Sequence, residues 1–463
     1  MNDLLQRTAE LASAFLARLG DRPVGPPVDL AALRAALGGP LPEHGADPLA
    51  VVEALARAAD PGLVATAGPR YFGFVVGGSH PAALAADWLT STWDQNAGLY
   101  VLSPAAAVAE EVAGQWLVEL FGLPAGTSVG FTTGATMANF TALAAARDAV
   151  LRHAGWDVEE EGLTGAPPIV VIGGEETHVT IFAALQMLGL GRGRVRRVAA
   201  DDQGRMRPEA LAQSLATVGG PTIVCAQSGN VNSGAFDPLV EIAAAVRARG
   251  GWLHVDGAFG LWAAAAPALR HHVRGVELAD SWTVDAHKWL NVPYDSGLVF
   301  VRDATPHHAA MTLGAPYYVE SAGAERDSYN WVPESSRRAR GFAVYAALRA
   351  LGRSGVAELV ERCCRLARRM ADRLRAAPGL EVLNDVVLNQ VLVRVEPPGG
   401  ADADAFIREV IRRVQADGTC WLGGTTWQGR SAMRISVSNW STTETDVDRS
   451  VDAILRCTRA AAD

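Results

Sequence analysis

The sequence predicts an α/β fold, in which a large domain with a mainly parallel, seven-stranded type of sheet precedes a smaller α+β domain. Between residues 82 and 340, short apolar runs rich in β-branched residues alternate with stretches of helical periodicity, which is typical of a parallel sheet covered by helices. From residue 341 to residue 463, long helical stretches come before further strand-like runs. Residues 1–81 have apolar residues at helical spacing and predict an N-terminal helical segment.

The N-terminal segment begins with a predicted amphipathic helix. In "MNDLLQRTAELASAFLARLG", acidic residues and arginines interrupt the apolar residues, so the stretch predicts a docking helix rather than a targeting signal. Residues 25–48 are rich in Pro and Gly and predict an irregular connection between helices. No window approaches the uninterrupted apolar length of a membrane span, so we expect no membrane partner.

The strand-like runs of the large domain predict the sheet. In chain order they are "SVGFTT", "PIVVIGG", "RVRRVAA", "PTIVCAQ", "GWLHVD", "SWTVDA" and "GLVFVRD". Helical stretches such as "NFTALAAARDAVLRH" and "LVEIAAAVRARG" separate most of them, which predicts parallel crossovers. In the smaller domain, two helical stretches, "GFAVYAALRALG" and "VAELVERCCRLARRMADRLRAA", precede the predicted strands "NQVLVRVE" and "AMRISVSNW" and a last helix.

Charge and cysteine usage exclude several classes of function. The formal net charge is -9 and the arginines are scattered, which argues against a nucleic-acid partner. The five cysteines are odd in number and lack CxxC spacing, which predicts reduced thiols and a cytoplasmic location. A metal site is disfavoured because the histidines at 271–272 and 307–308 are adjacent pairs whose side chains diverge. Weak glycine patterns in "IVVIGGEET" and "GLGRGR" do not support a dinucleotide site.

Lys288 is the only lysine in the chain, although arginine is common. A guanidinium stays protonated at physiological pH, whereas a lysine amine can lose its proton and attack a carbonyl carbon. Lys288 is therefore a candidate nucleophile. The alternative is a surface lysine that escaped a compositional drift towards arginine.

Further candidate residues follow or end predicted strands, where open α/β sheets place their ligands. The turn Thr132–Thr136 runs into a helix and predicts a phosphate site, although it is also consistent with a structural cap. Asp256 ends a strand and needs a cationic partner there, unless it only caps the next turn. His178 follows another strand, and a lone histidine is more often structural. Together with Lys288, these residues are the parts that hold pyridoxal phosphate.

The stretch "SWTVDAHKWLNVPYDSG" resembles the lysine motif of the group II pyridoxal-phosphate decarboxylases, which act on aromatic amino acids, histidine and glutamate. Other stretches, in the order of that family, are "RYFGFVVGGSHPAALAADWL", "LSPAAAVAEEVAGQWL", "TTGATMAN", "HVT", "SGAFDP", "HVDGAFG", "SRRARGF" and "MRISVSNW". The resemblance covers most of the chain. It implies the type I pyridoxal-phosphate fold, like that of aspartate aminotransferase, and a homodimer with shared active sites, in which the N-terminal segment packs on the partner.

The resemblance also assigns residues. The cofactor-binding set is Ala135, Thr136, His178, Asp256, His287 and Lys288. Within it, Lys288 forms the Schiff base, Asp256 pairs with the pyridine nitrogen, and His178 stacks on the ring and assists proton transfer. Arg434 matches an arginine that meets the substrate carboxylate in glutamate-type members, and Trp93 and Tyr100 fall in a segment that helps form the substrate pocket. The alternative role of these two aromatic residues is interface core, which is the more frequent use of aromatic side chains.

The implied reaction is decarboxylation of an L-amino acid to its amine through a carbanion delocalised into the pyridinium ring. Counting back from Trp331 places Ser328 where aromatic-type members have a proton-donating tyrosine, with Tyr329 adjacent as a candidate replacement. Loss of that phenol in the family can divert the carbanion to oxygen, so oxidative deamination to an aldehyde stays open, as does transamination. Two more departures, Asn230 with Val231 in place of a Thr pair and Asp285 in place of Asn, place the chain on a side branch.

Overall fold

The structure is a computed structural model that describes residues 1–312, 325–400 and 402–462. The chain divides into two compact units. The larger unit comprises Gly77–Ala367 and Asn384–Gln390, and the smaller comprises Met1–Val76, Arg368–Leu383 and Val391–Asp463. The division into segments 1–81, 82–340 and 341–463 remains our proposal from the sequence.

The larger unit contains a seven-stranded sheet, and each of the seven predicted runs supplies one strand. The strands are β1 (Ser128–Thr132), β2 (Val170–Gly174), β3 (Arg196–Val198), β4 (Thr222–Gln227), β5 (Trp252–Asp256), β6 (Ser281–Asp285) and β7 (Gly297–Val301). Their order is β1-β7-β6-β5-β4-β2-β3. Strands β2 to β6 pair in parallel, while β7 is antiparallel to both β6 and β1. The short connection 286–296 explains the reversal of β7, because a parallel crossover needs a dozen or more residues.

Helices pack on the sheet and connect its strands. The helices of the larger unit are α4 (Pro81–Trp93), α5 (Pro104–Phe121), α6 (Ala135–His153), α7 (Val158–Glu161), α8 (Val179–Met187), α9 (Pro208–Ala216), α10 (Leu239–Arg247) and α11 (Ala304–Met311). Helix α6 is the most enclosed of these, with residues on several of its faces buried. Buried alanines of α6, including Ala138, Ala142 and Ala145, belong to a core with β2, β4, β7 and α8. Their small size lets the helix lie close to the strands.

Helix α12 (Gly341–Arg375) contains a break at Gly352, where φ is 61° and ψ is -179°. This conformation is one that a residue with a Cβ atom rarely adopts, so glycine is required at the break. The break separates the two helical stretches that the sequence predicts for this region.

The smaller unit contains a four-stranded sheet and the N-terminal helices. Its strands, in the order β10-β11-β9-β8, are β8 (Leu380–Val382), β9 (Gln390–Val395), β10 (Gly423–Trp427) and β11 (Arg430–Ser436). Its remaining helices are α1 (Asn2–Arg18), α2 (Leu30–Leu37), α3 (Pro48–Ala59), α13 (Ala403–Asp417) and α14 (Glu444–Ala462). In this unit Tyr71 stacks on Trp421 with ring centroids 4.9 Å apart. No helix in the described ranges has the length and apolarity needed to cross a membrane.

Candidate active site

The candidate residues meet at one edge of the large sheet. The parallel strands β2, β4, β5 and β6 end there, and the antiparallel strand β7 begins there at Gly297. Gly297 pairs with Thr132, the last residue of β1, and with Asp285, the last residue of β6. The loops that carry the predicted phosphate turn and Lys288 are therefore neighbours, as expected for a site at the carboxyl edge of a parallel sheet.

Asp285 connects these two loops. Its Oδ2 atom lies 2.7 Å from Lys288 Nζ, and its Oδ1 atom accepts a hydrogen bond of 2.6 Å from the backbone N–H of Ala135. His287 Nε2 lies 3.5 Å from the same Oδ1 atom. The structure thus brings together Lys288, His287 and the start of helix α6, with a carboxylate among them that the sequence marked only as a departure from the family.

The hydrogen bonds of His287 determine which of its ring nitrogens faces Asp285. Its Nδ1 atom accepts a hydrogen bond of 3.1 Å from the backbone N–H of Ser296, so a neutral ring carries its proton on Nε2. Burial lowers the pKa of His287 below its ordinary value, which favours the neutral form. The Tyr294 ring stacks on the imidazole at 4.3 Å between centroids. His287 is therefore held as a hydrogen-bond donor at the start of α6.

The predicted phosphate turn, Thr132–Thr136, fits an anion. Helix α6 has Gly134 at its N-cap, and Gly134 supplies no side-chain cap to the first turn. A Cβ atom on Gly297 would collide with the backbone of Gly134, so glycine is needed where the two loops touch. The amide groups at the start of a long helix, with the positive end of its dipole, are suited to a phosphate group.

Asp256 is a buried carboxylate that accepts two hydrogen bonds. Its side chain is 6% exposed at the end of β5. Oδ1 accepts a hydrogen bond from the backbone N–H of Ala258 at 3.1 Å, and Oδ2 accepts one from Asn139 Nδ2 at 3.3 Å. Within the part of the chain that the structure describes, no lysine, arginine or histidine forms an ion pair with Asp256. A protonated pyridine nitrogen would provide the missing positive charge.

His178 caps helix α8 and is connected to Asp256. Its Nδ1 atom lies 2.9 Å from Thr180 Oγ1 and 3.4 Å from the Thr180 backbone nitrogen. Thr180 Oγ1 in turn accepts a hydrogen bond of 3.1 Å from Asn139, which also binds Asp256. Asn139 and Thr180 were not predicted from the sequence. One available signal was that Asn139 lies four residues after Ala135, so both lie on one face of the helix that follows the phosphate turn.

Several buried polar atoms near these strand ends lack a partner among the described residues. They are Thr177 Oγ1, Ser228 Oγ and Asn230 Nδ2. Asn230 uses its Oδ1 atom to accept hydrogen bonds from the backbone N–H groups of Asn232 and Ser233, which leaves its NH2 group as a donor for another molecule. Buried donors without partners are costly, so they favour a site that a polar ligand completes.

The loop that carries Ser328 and Tyr329 forms a turn of 3-10 helix at Ser328–Trp331. Tyr329 is buried, and its backbone N–H donates a hydrogen bond of 3.0 Å to the carbonyl oxygen of Gly98. The N–H of Tyr100 donates one of 2.8 Å to Asp327 Oδ1. Ser328 is also buried, and its hydroxyl oxygen has no partner in the described ranges. The loop that contains Tyr100 and the loop that contains Tyr329 are therefore hydrogen-bonded to each other.

Trp93 and Arg434 are the remaining predicted substrate residues. Trp93, at the end of α4, is 48% exposed and packs edge-on against Phe342 at 5.1 Å between ring centroids. Arg434, on β11, belongs to the smaller unit, and burial lowers the pKa of its guanidinium. No carboxylate of the described residues forms an ion pair with Arg434.

Comparisons with known proteins identify the family of the chain. The family described as the pyridoxal-dependent decarboxylase conserved domain matches residues 32–396. L-2,4-Diaminobutyrate decarboxylase of Rhizobium meliloti (strain 1021) is 32% identical over 90% of this chain and 83% of its own length. Tryptophan decarboxylase 1 of Oryza sativa subsp. japonica is 28% identical over 94% of this chain and 89% of its own. A crystal structure of Oryza sativa TDC with PLP and tryptamine has a TM-score of 0.93 and 26% identity, covering 100% of this chain and 98% of that one.

The family match and the solved structures define a pyridoxal-phosphate enzyme of the carboxy-lyase class. The chain belongs to the pyridoxal-dependent decarboxylase family, within its group II members. Its cofactor is pyridoxal phosphate, and its reaction is the decarboxylation of an amino acid.

Proposed function

We propose that Lys288 forms the covalent link to pyridoxal phosphate and that Asp256 pairs with the ring nitrogen, so that the enzyme converts an L-amino acid to its amine. The observation that carries the proposal is the buried Asp256 carboxylate, which has two hydrogen-bond donors but no cationic partner among the described residues. Such a carboxylate favours a protonated nitrogen beside it. Ala135, Thr136 and His287 hold the phosphate group at the start of α6.

When bound, pyridoxal phosphate accepts the electron pair that departing CO2 leaves on the α-carbon. Asp256 supports this by keeping the ring nitrogen protonated, since its carboxylate lies in a site of low dielectric constant. His178 covers the ring and offers a nitrogen for proton transfer. The reaction consumes one proton, which replaces CO2 on the α-carbon, and His178 and Tyr329 are the residues that we propose for its delivery.

A second candidate function is oxidative, and Ser328 favours it. The serine stands where aromatic-type relatives have a proton-donating tyrosine, and its buried hydroxyl has no partner within the described ranges. A carbanion that is protonated slowly has time to react with dioxygen. The amino acid, dioxygen and water would then yield an aldehyde, CO2, ammonia and hydrogen peroxide.

Arg434, Trp93 and Tyr100 are the substrate contacts that we propose. The guanidinium of Arg434 has lost part of its hydration and pairs with no described carboxylate, so it is suited to a carboxylate of the substrate. Trp93 and Tyr100 provide aromatic surface for an apolar or aromatic side chain. Relatives with tryptophan and with diaminobutyrate in their names show that the family accepts both kinds of substrate.

The assembly that we propose is a homodimer with shared active sites. None of the residues of α1, α2 and α3 is buried in the single chain. Large apolar side chains on these helices are exposed, among them Leu5, Leu16, Leu30, Val51 and Leu55. Exposed apolar surface of this extent supports an interface. Trp93 is exposed as well, which is consistent with a contribution to the partner's site.

The location that we propose is the cytoplasm. All five cysteines are unpaired and buried, which suits a reducing compartment. The net charge of -9 supports a small-molecule substrate rather than nucleic acid.

The single lysine allows a direct test of the covalent link. Borohydride reduction of the enzyme loaded with pyridoxal phosphate should fix the cofactor on the peptide that contains Lys288, as detected by mass spectrometry. Lys288→Arg should lose this label and the visible absorption band of the bound cofactor, while its sedimentation and circular dichroism stay unchanged. A label elsewhere, or an unchanged spectrum in Lys288→Arg, would refute the role of Lys288.

The products distinguish the two candidate reactions. The loaded enzyme is incubated with pooled L-amino acids, and CO2, amine, aldehyde, keto acid and hydrogen peroxide are followed together. Amine equal to CO2 without peroxide supports decarboxylation alone, whereas aldehyde with peroxide supports the oxidative reaction. Keto acid without CO2 would overturn both.

A further inference from the structure

A buried asparagine on α6 uses every hydrogen-bonding position of its side chain. Asn139 Oδ1 accepts from Thr283 Oγ1 at 2.8 Å and lies 3.0 Å from His254 Nε2. Asn139 Nδ2 donates to Thr180 Oγ1 at 3.1 Å and to Asp256 Oδ2 at 3.3 Å. The side chain is completely buried and joins β5, β6 and α8 to α6. A fully satisfied buried amide has one orientation and holds its neighbours in place.

Chemistry alone fixes that orientation. An ionised Asp256 carboxylate can only accept hydrogen bonds, so the group of Asn139 that faces it must be the NH2 group. The carbonyl oxygen of Asn139 therefore faces Thr283 and His254. The assignment does not depend on telling nitrogen from oxygen by position.

The proton on His254 follows from the same argument. Because the Asn139 oxygen accepts, His254 must donate through Nε2. Burial lowers the pKa of His254 to about 4, so the ring is neutral and its Nδ1 atom accepts from Ser281 Oγ, 2.9 Å away. Ser281 Oγ in turn accepts from Trp252 Nε1 at 2.9 Å. The hydrogen bonds therefore run in one direction, from Trp252 to the Asn139 oxygen.

The hydrogen bond from the Asn139 amide to Thr180 also determines where the hydrogen atoms lie at His178. Because Thr180 Oγ1 accepts from Asn139, its hydroxyl hydrogen is available to His178 Nδ1, 2.9 Å away. The backbone N–H of Thr180 also points at Nδ1, since His178 caps α8 through this atom. Two donors at one nitrogen require a lone pair there. A neutral His178 therefore carries its proton on Nε2.

We propose that Asn139 and Thr180 are positioning residues that hold the Asp256 carboxylate and fix His178 in the tautomer with its proton on Nε2. The inference rests on the functions proposed above for Asp256 and His178. It identifies Nε2 as the nitrogen of His178 that carries hydrogen and can donate a hydrogen bond, because Nδ1 is occupied by Thr180. One buried amide thus sets the orientation of both groups that act on the cofactor ring.

The test reads the tautomer directly. The holoenzyme is labelled with 15N-histidine, and long-range 15N–1H correlation spectra report which ring nitrogen of each histidine carries hydrogen. His178→Gln identifies the signal of His178 by its absence. In the wild type, His178 should carry hydrogen on Nε2 and none on Nδ1.

Two variants of Thr180 test the cause. Thr180→Val removes the hydroxyl with little change in shape, so a population of His178 with hydrogen on Nδ1 should appear. Its kcat should fall by roughly tenfold with little change in KM, which is below the contribution of 10²–10⁴ typical of general acid–base catalysis. Thr180→Ser retains a hydroxyl and should restore the wild-type spectrum. Thr141→Val is the matched control, because the Thr141 hydroxyl only binds the carbonyl of Met137 on the same helix.

Asn139→Leu provides a second test if the Thr180 variants have small effects. It removes the donors to Thr180 and Asp256 together, so the His178 tautomer should change and the cofactor's absorption spectrum should shift. An Nδ1 proton in the wild type, or a tautomer that neither Thr180→Val nor Asn139→Leu changes, would overturn the inference. If the enzyme forms amine but His178 carries its proton on Nδ1, this inference alone is refuted. If His178 has the expected tautomer but the enzyme does not decarboxylate amino acids, the proposed function alone is refuted.

Discussion

Asp285 adds a negative charge at the start of α6, where we propose that the cofactor phosphate binds. Its carboxylate accepts from the Ala135 N–H and pairs with Lys288 at 2.7 Å, so it occupies both groups that the cofactor requires. At an effective dielectric constant of 20, two unit charges about 4 Å apart interact by roughly 4 kcal/mol. Repulsion of the phosphate by Asp285 is therefore large enough to affect cofactor affinity.

We predict that Asp285→Asn binds pyridoxal phosphate more tightly, with a dissociation constant lowered by at least about tenfold. The variant removes the repulsion and the ion pair with Lys288, and both changes favour the covalent link. Titration of cofactor-free protein by visible absorption measures the constant, and binding of inorganic phosphate, followed by thermal unfolding, isolates the phosphate contribution. Glu119→Gln, at an exposed ion pair with Arg353, changes the net charge equally and serves as control. Weaker binding in Asp285→Asn would show that Asp285 instead holds Lys288 in place.

At the level of the elements, a buried histidine on α11 forms hydrogen bonds both to the sheet and to the loop of Ser328. His307 Nδ1 lies 2.8 Å from Ser128 Oγ on β1, and Nε2 lies 2.9 Å from the carbonyl oxygen of Trp331. The carbonyl can only accept, so Nε2 donates and Nδ1 of the neutral ring accepts from Ser128, whose one hydroxyl hydrogen then turns away from the Val301 carbonyl oxygen 3.0 Å away. Burial lowers the pKa of His307 to about 3, so the ring stays neutral in the folded protein.

The lowered pKa of His307 predicts that the free energy of unfolding decreases in acid. The unfolded chain binds a proton at His307 below pH 6.5, while the folded protein does not until about pH 3. The contribution of His307 is therefore complete above pH 6.5 and falls by about 1.4 kcal/mol per pH unit towards pH 3. Urea unfolding between pH 7 and pH 4.5 should give a smaller pH slope for His307→Gln than for the wild type. Equal slopes would mean that His307 is protonated in the folded protein.

The same elements show how far the sequence could predict the fold. The seven strands of the large sheet were predictable because each is a short apolar run, and six of them follow or precede a helical stretch. Strands β8 and β10 were missed, since β8 has 3 residues and β10 begins with two glycines. Helix α13 was also missed, although α12 and its break at Gly352 were predicted as two stretches.

The candidate site was predictable where a residue type is chemically special. Lys288 is unique, and Asp256 ends a strand, so both were visible in the sequence. Asn139 and Thr180 are ordinary residues in helices, and their importance arises only because α6 brings Asn139 against β5 and α8. No periodicity in the sequence reports a hydrogen bond between residues 117 positions apart, such as Asn139 and Asp256.

At the level of the whole molecule, the shared active sites that we propose predict recovery of activity when two inactive variants are mixed. The first variant is Lys288→Arg, and the second combines Trp93→Ala with Tyr100→Ala. If Trp93 and Tyr100 serve the partner's site, a mixed dimer has one site with both defects and one with neither. After the subunits are exchanged at equal concentration, about a quarter of wild-type activity should return. If all three residues serve the same site, each site of a mixed dimer keeps a defect and no activity returns.

The exposed face of α1 supplies the control for this experiment. Leu5 and Leu16 are 53% and 43% exposed in the single chain and lie about three turns apart on the same face. Burial of each leucine in an interface contributes about 1.5–3 kcal/mol, so Leu5→Glu with Leu16→Glu should weaken the dimer by at least about 10²-fold. Sedimentation should then show a species near the chain mass of 48.7 kDa, and mixing should restore no activity. Gln6→Glu adds a charge to the same helix without removing apolar surface, so its dimer and its recovered activity should both persist.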